Sequence, residues 1–91
     1  MDINEIRCKI DTLNDELLSL LSERLKLSEE VALYKAERKL PIFDKEREEA
    51  IIGLLTEKSG DNAKYIIPVF RTILDTSKKL QEDIISEKEG R

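Results

Sequence analysis

Arg24 sits where an apolar side chain belongs. Ile3, Ile6, Ile10, Leu13, Leu17, Leu20, Leu27, Val31 and Tyr34 recur at three- and four-residue steps, and the step after Leu20 lands on Arg24. Lys35 follows about three helical turns later, within roughly 20° of Arg24 on the wheel. Two cations therefore point off one face. Arg7 lies about 100° away from Arg24, so within one chain it does not serve the same pocket. Further on, Asp44 and Glu48 share a stripe with Ile51 and Leu55, while Arg47 aligns with Ile51 and Leu54. The last apolar stripe, Ile66, Phe70, Ile73, Leu80 and Ile84, contains Ser77, and Gln81 lies at its edge. Cations, carboxylates, a hydroxyl and an amide thus interrupt greasy faces.

Each intrusion has a structural alternative. Arg24 and Lys35 can lay their stems on apolar surface with their heads in water. Asp44 can simply cap a helix and Glu48 complement its dipole. Ser77 can be a small packing residue and Gln81 a solvated edge. Taken together the balance changes, because burying cations and polar groups costs free energy unless they are paired. Those stripes hold too few acids to neutralise Arg7, Arg24, Lys35 and Arg47. A small anionic ligand is the economical partner, and it stands out in a chain of net charge −4.

Composition narrows the chemistry. The chain has 91 residues and no His, which excludes a Ser-His-Asp triad, an imidazole base and a His-ligated metal. One cysteine, Cys8, allows neither an intrachain disulfide nor a Cys-rich zinc site. No metal and no cofactor are expected. A pI near 4.9 argues against nucleic-acid or anionic-membrane binding. The apolar runs are too short to span a bilayer, and the acidic start, Met1 to Glu5, lacks a signal-peptide core. The expectation is a cytoplasmic protein with a free thiol.

The elements that must position these groups are all helical. Asp2 with Glu5 reads as a capping box, and no breaker follows until Pro41. A first helix of roughly 35 residues, about 50 Å long, ends near Lys39. Asp44 caps a second helix that stops near Gly60. Asp61 and Asn62 cap a third, from about Ala63 to about Ser86, with Pro68 near its start. Residues 87–91 are expected to fray. The fold class is all-α, one domain over 1–91. A compact chain of this size has a radius of gyration of about 12 Å, so a ~50 Å helix with an apolar stripe nearly end to end does not fit one globule. An intertwined helical homodimer is expected; the alternative is a monomeric three-helix bundle.

The spacing also resembles a known family. Ile6-Arg7-Cys8-Lys9-Ile10-Asp11 gives I-R-x-x-I-D, and Arg24 to Lys35 gives R-x-x-L-x-x-x-V-x-x-x-K. Pro41 to Glu48 gives P-x-x-D-x-x-R-E, and Ser77-Lys78-Lys79-Leu80-Gln81 follows. Jointly these runs resemble the all-helical class of chorismate mutases over nearly the whole chain. The resemblance implies conversion of chorismate, a dianion, to prephenate by a non-covalent [3,3] rearrangement in aromatic amino-acid biosynthesis. It implies a dimer in which the partner chain lends Arg7. Arg7 and Arg24 would hold the two carboxylates with help from Ser77. Lys35 would reach a carboxylate and the ether oxygen, and Gln81 the same oxygen. Glu48 and the backbone around Asp44 would hold the ring hydroxyl, and Arg47 would support the pocket. Two alternatives stay open: an isochorismate-pyruvate lyase on the same scaffold, and a non-catalytic helical dimerisation or regulatory module.

Overall fold

The computed structural model describes residues 2–90. Among them there are no strands. The order is α1 (Ile3–Arg38), α2 (Lys45–Ser59), a 3-10 turn (Gly60–Asn62) and α3 (Ala63–Lys88). The turn joins α2 directly to α3, so the chain makes two uninterrupted helical runs.

α1 is 36 residues long, and at 1.5 Å per residue it accounts for the 54 Å longest dimension of the molecule. It stops at Lys39, a non-glycine residue in the left-handed region (φ 55°). The Lys39 N–H donates to the Ala36 carbonyl, and the Leu40 N–H reaches the Lys35 carbonyl at 2.9 Å. This double closure satisfies two of the last carbonyls, those of Lys35 and Ala36, and Pro41 forbids further helix. At the other end Asp2 occupies the N-cap position but its side chain makes no capping hydrogen bond, so the expected capping box does not form. Asp44 does cap α2, its Oδ1 accepting from the Arg47 N–H at 3.0 Å. Asn62 makes no side-chain cap for α3; the 3-10 turn carries the chain into that helix instead. α3 runs through Lys88, slightly past its expected end, and tolerates Pro68 in its second turn.

α3 lies against both α1 and α2, which do not themselves approach closely along their backbones. The α1–α3 seam is narrow and polar. Ser28 and Ala32, one turn apart, face Ser77 and Gln81, also one turn apart, and all four are buried. Leu74 is the only other buried side chain among the described residues. Small side chains let two helices come together, but they bury little apolar area.

Much of the apolar surface is consequently uncovered. In the first half of the α1 stripe, Ile3, Ile10, Leu13, Leu17 and Leu20 are each about half exposed or more, and Ile6 is partly buried. The radius of gyration is 16.5 Å, well above the roughly 12 Å of a compact chain this long. No helix among the described residues is long and apolar enough to cross a membrane.

Candidate active site

The second half of α1 meets the other two helices around a cleft of about 300 Å³. Its walls follow from the helical periods described above. Arg24, Ser28, Val31 and Lys35 recur at three- and four-residue steps along one face of α1. Asp44, Arg47, Glu48 and Ile51 come from the cap and first turns of α2, and Leu74, Ser77, Lys78 and Gln81 from α3. Leu27 and Ile42 complete an apolar lining.

Seven of the eight residues singled out from the sequence therefore line one hollow: Arg24, Lys35, Asp44, Arg47, Glu48, Ser77 and Gln81. The eighth, Arg7, does not. It is exposed on the first half of α1 and borders none of this cleft. The angular offset from Arg24 anticipates that separation.

Charge is unevenly matched inside the cleft. Four cations (Arg24, Lys35, Arg47 and Lys78) face two carboxylates (Asp44 and Glu48), an excess of two positive charges. Glu48 is already engaged, with Lys78 Nζ 3.1 Å from its Oε2. Asp44 is occupied at its helix cap. Arg24, Lys35 and Arg47 form no salt bridge among the described residues. Lys35 is nevertheless held in place, its Nζ donating to the Ile42 carbonyl at 2.6 Å. An ammonium has three donors, so two remain for a ligand.

Lys78 has its pKa raised above the ordinary lysine value. The hydrogen bond to Glu48 is the main cause and outweighs desolvation, with Asp75 adding to it. Lys78 therefore stays charged throughout the neutral range.

The floor of the site is neutral and polar. Ser28 Oγ and Ser77 Oγ share a hydrogen bond of 2.5 Å. Beside them the buried Gln81 Oε1 has no hydrogen-bond partner. An unpaired buried polar atom is costly in a native structure, and its place in the cleft leaves it available to a ligand or water.

Two polar residues of the cleft, Ser28 and Lys78, were not assigned from sequence. Ser28 is one serine on a leucine-rich helix, and its role depends on a partner 49 positions away. Lys78 follows Ser77 directly and reads as a solvated charge until α2 is brought beside it. Only its position immediately after Ser77 gave any signal.

These groups can bind an anion and stabilise charge that develops on an oxygen. The family comparisons agree with that chemistry. Residues 6–82 match the family Chorismate mutase type II. A relative named Chorismate mutase, from Methanocaldococcus jannaschii, is 32% identical over 96% of this chain and 91% of its own length. The T-protein of Haemophilus influenzae is 36% identical over 82% of this chain but only 21% of its own length. A Bifunctional chorismate mutase/prephenate dehydratase of Aquifex aeolicus is 32% identical over 91% of this chain and 25% of its own length. The chain thus spans nearly all of the first relative and about a quarter or less of the other two. No solved structure matches it. The matched segment contains the eight sequence-selected residues and the whole cleft, and the chain belongs to the chorismate mutase type II family.

Proposed function

We propose that the cleft binds chorismate and rearranges it to prephenate, an isomerase reaction of aromatic amino-acid biosynthesis, without a covalent intermediate or cofactor. The observation that carries this reading is the surplus of two positive charges, with Arg24, Lys35 and Arg47 unpaired around one hollow. A dianion is the ligand that balances it.

The rearrangement is unimolecular and needs no base or nucleophile. As the C–O bond breaks, negative charge grows on the ether oxygen. Donors already aimed at that oxygen lower the barrier, because their interaction strengthens as the charge develops. Lys35 and Gln81 supply this effect. Arg24 and Arg7 clamp the two carboxylates, with Ser77 assisting, so that the side chain folds over the ring before bonds change. Glu48 and the backbone around Asp44 hold the ring hydroxyl, and Arg47 supports the pocket. An acceleration of ~10⁶, low for an enzyme, requires about 8 kcal/mol, and one oxyanion-type donor supplies roughly 3–4 kcal/mol of it.

Arg7 reaches the cleft only from another chain, so the working unit is an intertwined homodimer. Support comes from the stripe that carries Arg7. Burying one large aliphatic side chain is worth about 1.5–3 kcal/mol, so covering Leu13, Leu17 and Leu20 with a second copy provides a strong drive to associate. The exposed free thiol of Cys8 suits a reducing cytoplasm.

The test is turnover of purified protein with chorismate and, separately, with isochorismate. Prephenate from chorismate is the expected product. Salicylate and pyruvate from isochorismate, with no prephenate from chorismate, would replace this reading with the lyase.

A further inference from the structure

Glu48 is the one carboxylate set well inside a cleft built for a dianion, and uncompensated it would repel the ligand. Lys78 answers that problem. Its Nζ lies 3.1 Å from Glu48 Oε2 and 3.4 Å from Oε1, so it faces both oxygens. The two side chains are only about a quarter exposed (25% and 24%), which distinguishes this pair from the exposed ion pairs elsewhere on the molecule. Asp75 approaches the same ammonium at 3.4 Å but is 75% exposed and contributes less. The Phe43 ring, from the segment between α1 and α2, lies 4.7 Å from the ammonium. A loop, α2 and α3 thus converge on one lysine.

We infer that Lys78 is a positioning residue for the reaction: it fixes the Glu48 carboxylate, charged and oriented, to accept the substrate's ring hydroxyl while cancelling its repulsion of the two substrate carboxylates. An ionised carboxylate has about four acceptor sites, so contact with Lys78 leaves lone pairs free for the hydroxyl. The inference rests on the chorismate reading of the cleft. It adds a residue whose action passes through Glu48, without contact with the reacting atoms.

The competing role is purely structural, a clamp that fastens α2 to α3. Kinetics with two substrates separate the two roles. Lys78→Met keeps the stem and removes the charge; Lys78→Arg keeps the charge. Each is assayed with chorismate and with a chorismate analogue that lacks the ring hydroxyl, with melting temperatures measured alongside. Because the hydroxyl contact is made equally in ground and transition states, Lys78→Met is expected to raise KM for chorismate about tenfold with little change in kcat. The analogue, which keeps both carboxylates and lacks only the hydroxyl, loses clearly less than chorismate, and Lys78→Arg restores most of the KM. In a Glu48→Gln background, Lys78→Met adds no further loss. Equal losses on both substrates, additive losses with Glu48→Gln, or a lowered melting temperature with unchanged KM would each overturn the inference. Failure of the unsubstituted protein to rearrange chorismate would instead overturn the reading beneath it.

Discussion

The two halves of α1 live in different surroundings. From Arg24 to Lys35 the helix is flanked by α2 and α3, and its polar side chains meet Ser77, Gln81 and the Ile42 carbonyl. From Ile3 to Leu20 the same helix presents a half-exposed aliphatic stripe and two exposed cations, Arg7 and Lys9. Nothing in the local sequence distinguishes a helix that will be covered from one that will not, since both halves carry the same three- and four-residue periodicity. The difference lies in what the rest of the chain can reach. Two shorter helices cover one end of a ~54 Å rod, and the other end stays uncovered within the chain. The covered half lines the cleft, and the uncovered half carries Arg7, which the proposed dimer would bring to a partner's cleft.

The largest expected effects fall on the covered half. Arg24→Ala and Lys35→Ala each reduce turnover by a factor of about 10²–10³ or more while the helical content by circular dichroism stays unchanged. Near-normal activity in either folded variant would break the assignment of that cleft.

The uncovered half is probed by Leu17→Asp, which places a charge in the middle of the proposed dimer contact. The expected result is loss of the dimer in a solution mass measurement, together with loss of turnover because Arg7 no longer reaches a cleft. A variant that stays dimeric, or an active monomer, would show that the stripe has another use.

Gln81→Glu sharpens the picture within the cleft. An amide donates its N–H at any ordinary pH, whereas a carboxyl group donates only when protonated. Activity of this variant therefore falls as pH rises through the carboxyl pKa, and its profile moves toward acid. A profile that stays flat up to neutral pH would remove Gln81 as the ether-oxygen donor.

The smallest effect is expected from Ser28→Ala. It deletes the 2.5 Å partner of Ser77 and costs about 1 kcal/mol, several degrees of melting temperature in a domain of this size, with only a modest loss of turnover.

How legible each half was follows from the same physics. Pro41 and the Asp44 cap act over a few residues, so the helix ends they set were readable, as was the common face of Arg24 and Lys35. The Asp2 capping box was not, because the spacing permits that hydrogen bond without requiring it. Gly60 to Asn62 read as a stop followed by a cap, yet they form a 3-10 turn in which the Ala63 N–H donates to the Gly60 carbonyl, and the Asn62 side chain makes no cap. The Ser28–Ser77 and Glu48–Lys78 pairs lie 49 and 30 positions apart and depend on the register between helices, which no local pattern encodes.

The most direct test of the central claim mixes two inactive proteins. Arg7→Ala and Lys35→Ala chains are denatured, combined in equal amounts and refolded together. In a symmetric dimer each mixed pair then holds one cleft with both residues intact and one with neither. Recovery of about a quarter of the unsubstituted activity is the expected result. No recovery, in a mixture shown by mass to contain mixed dimers, would contradict a site shared between two chains.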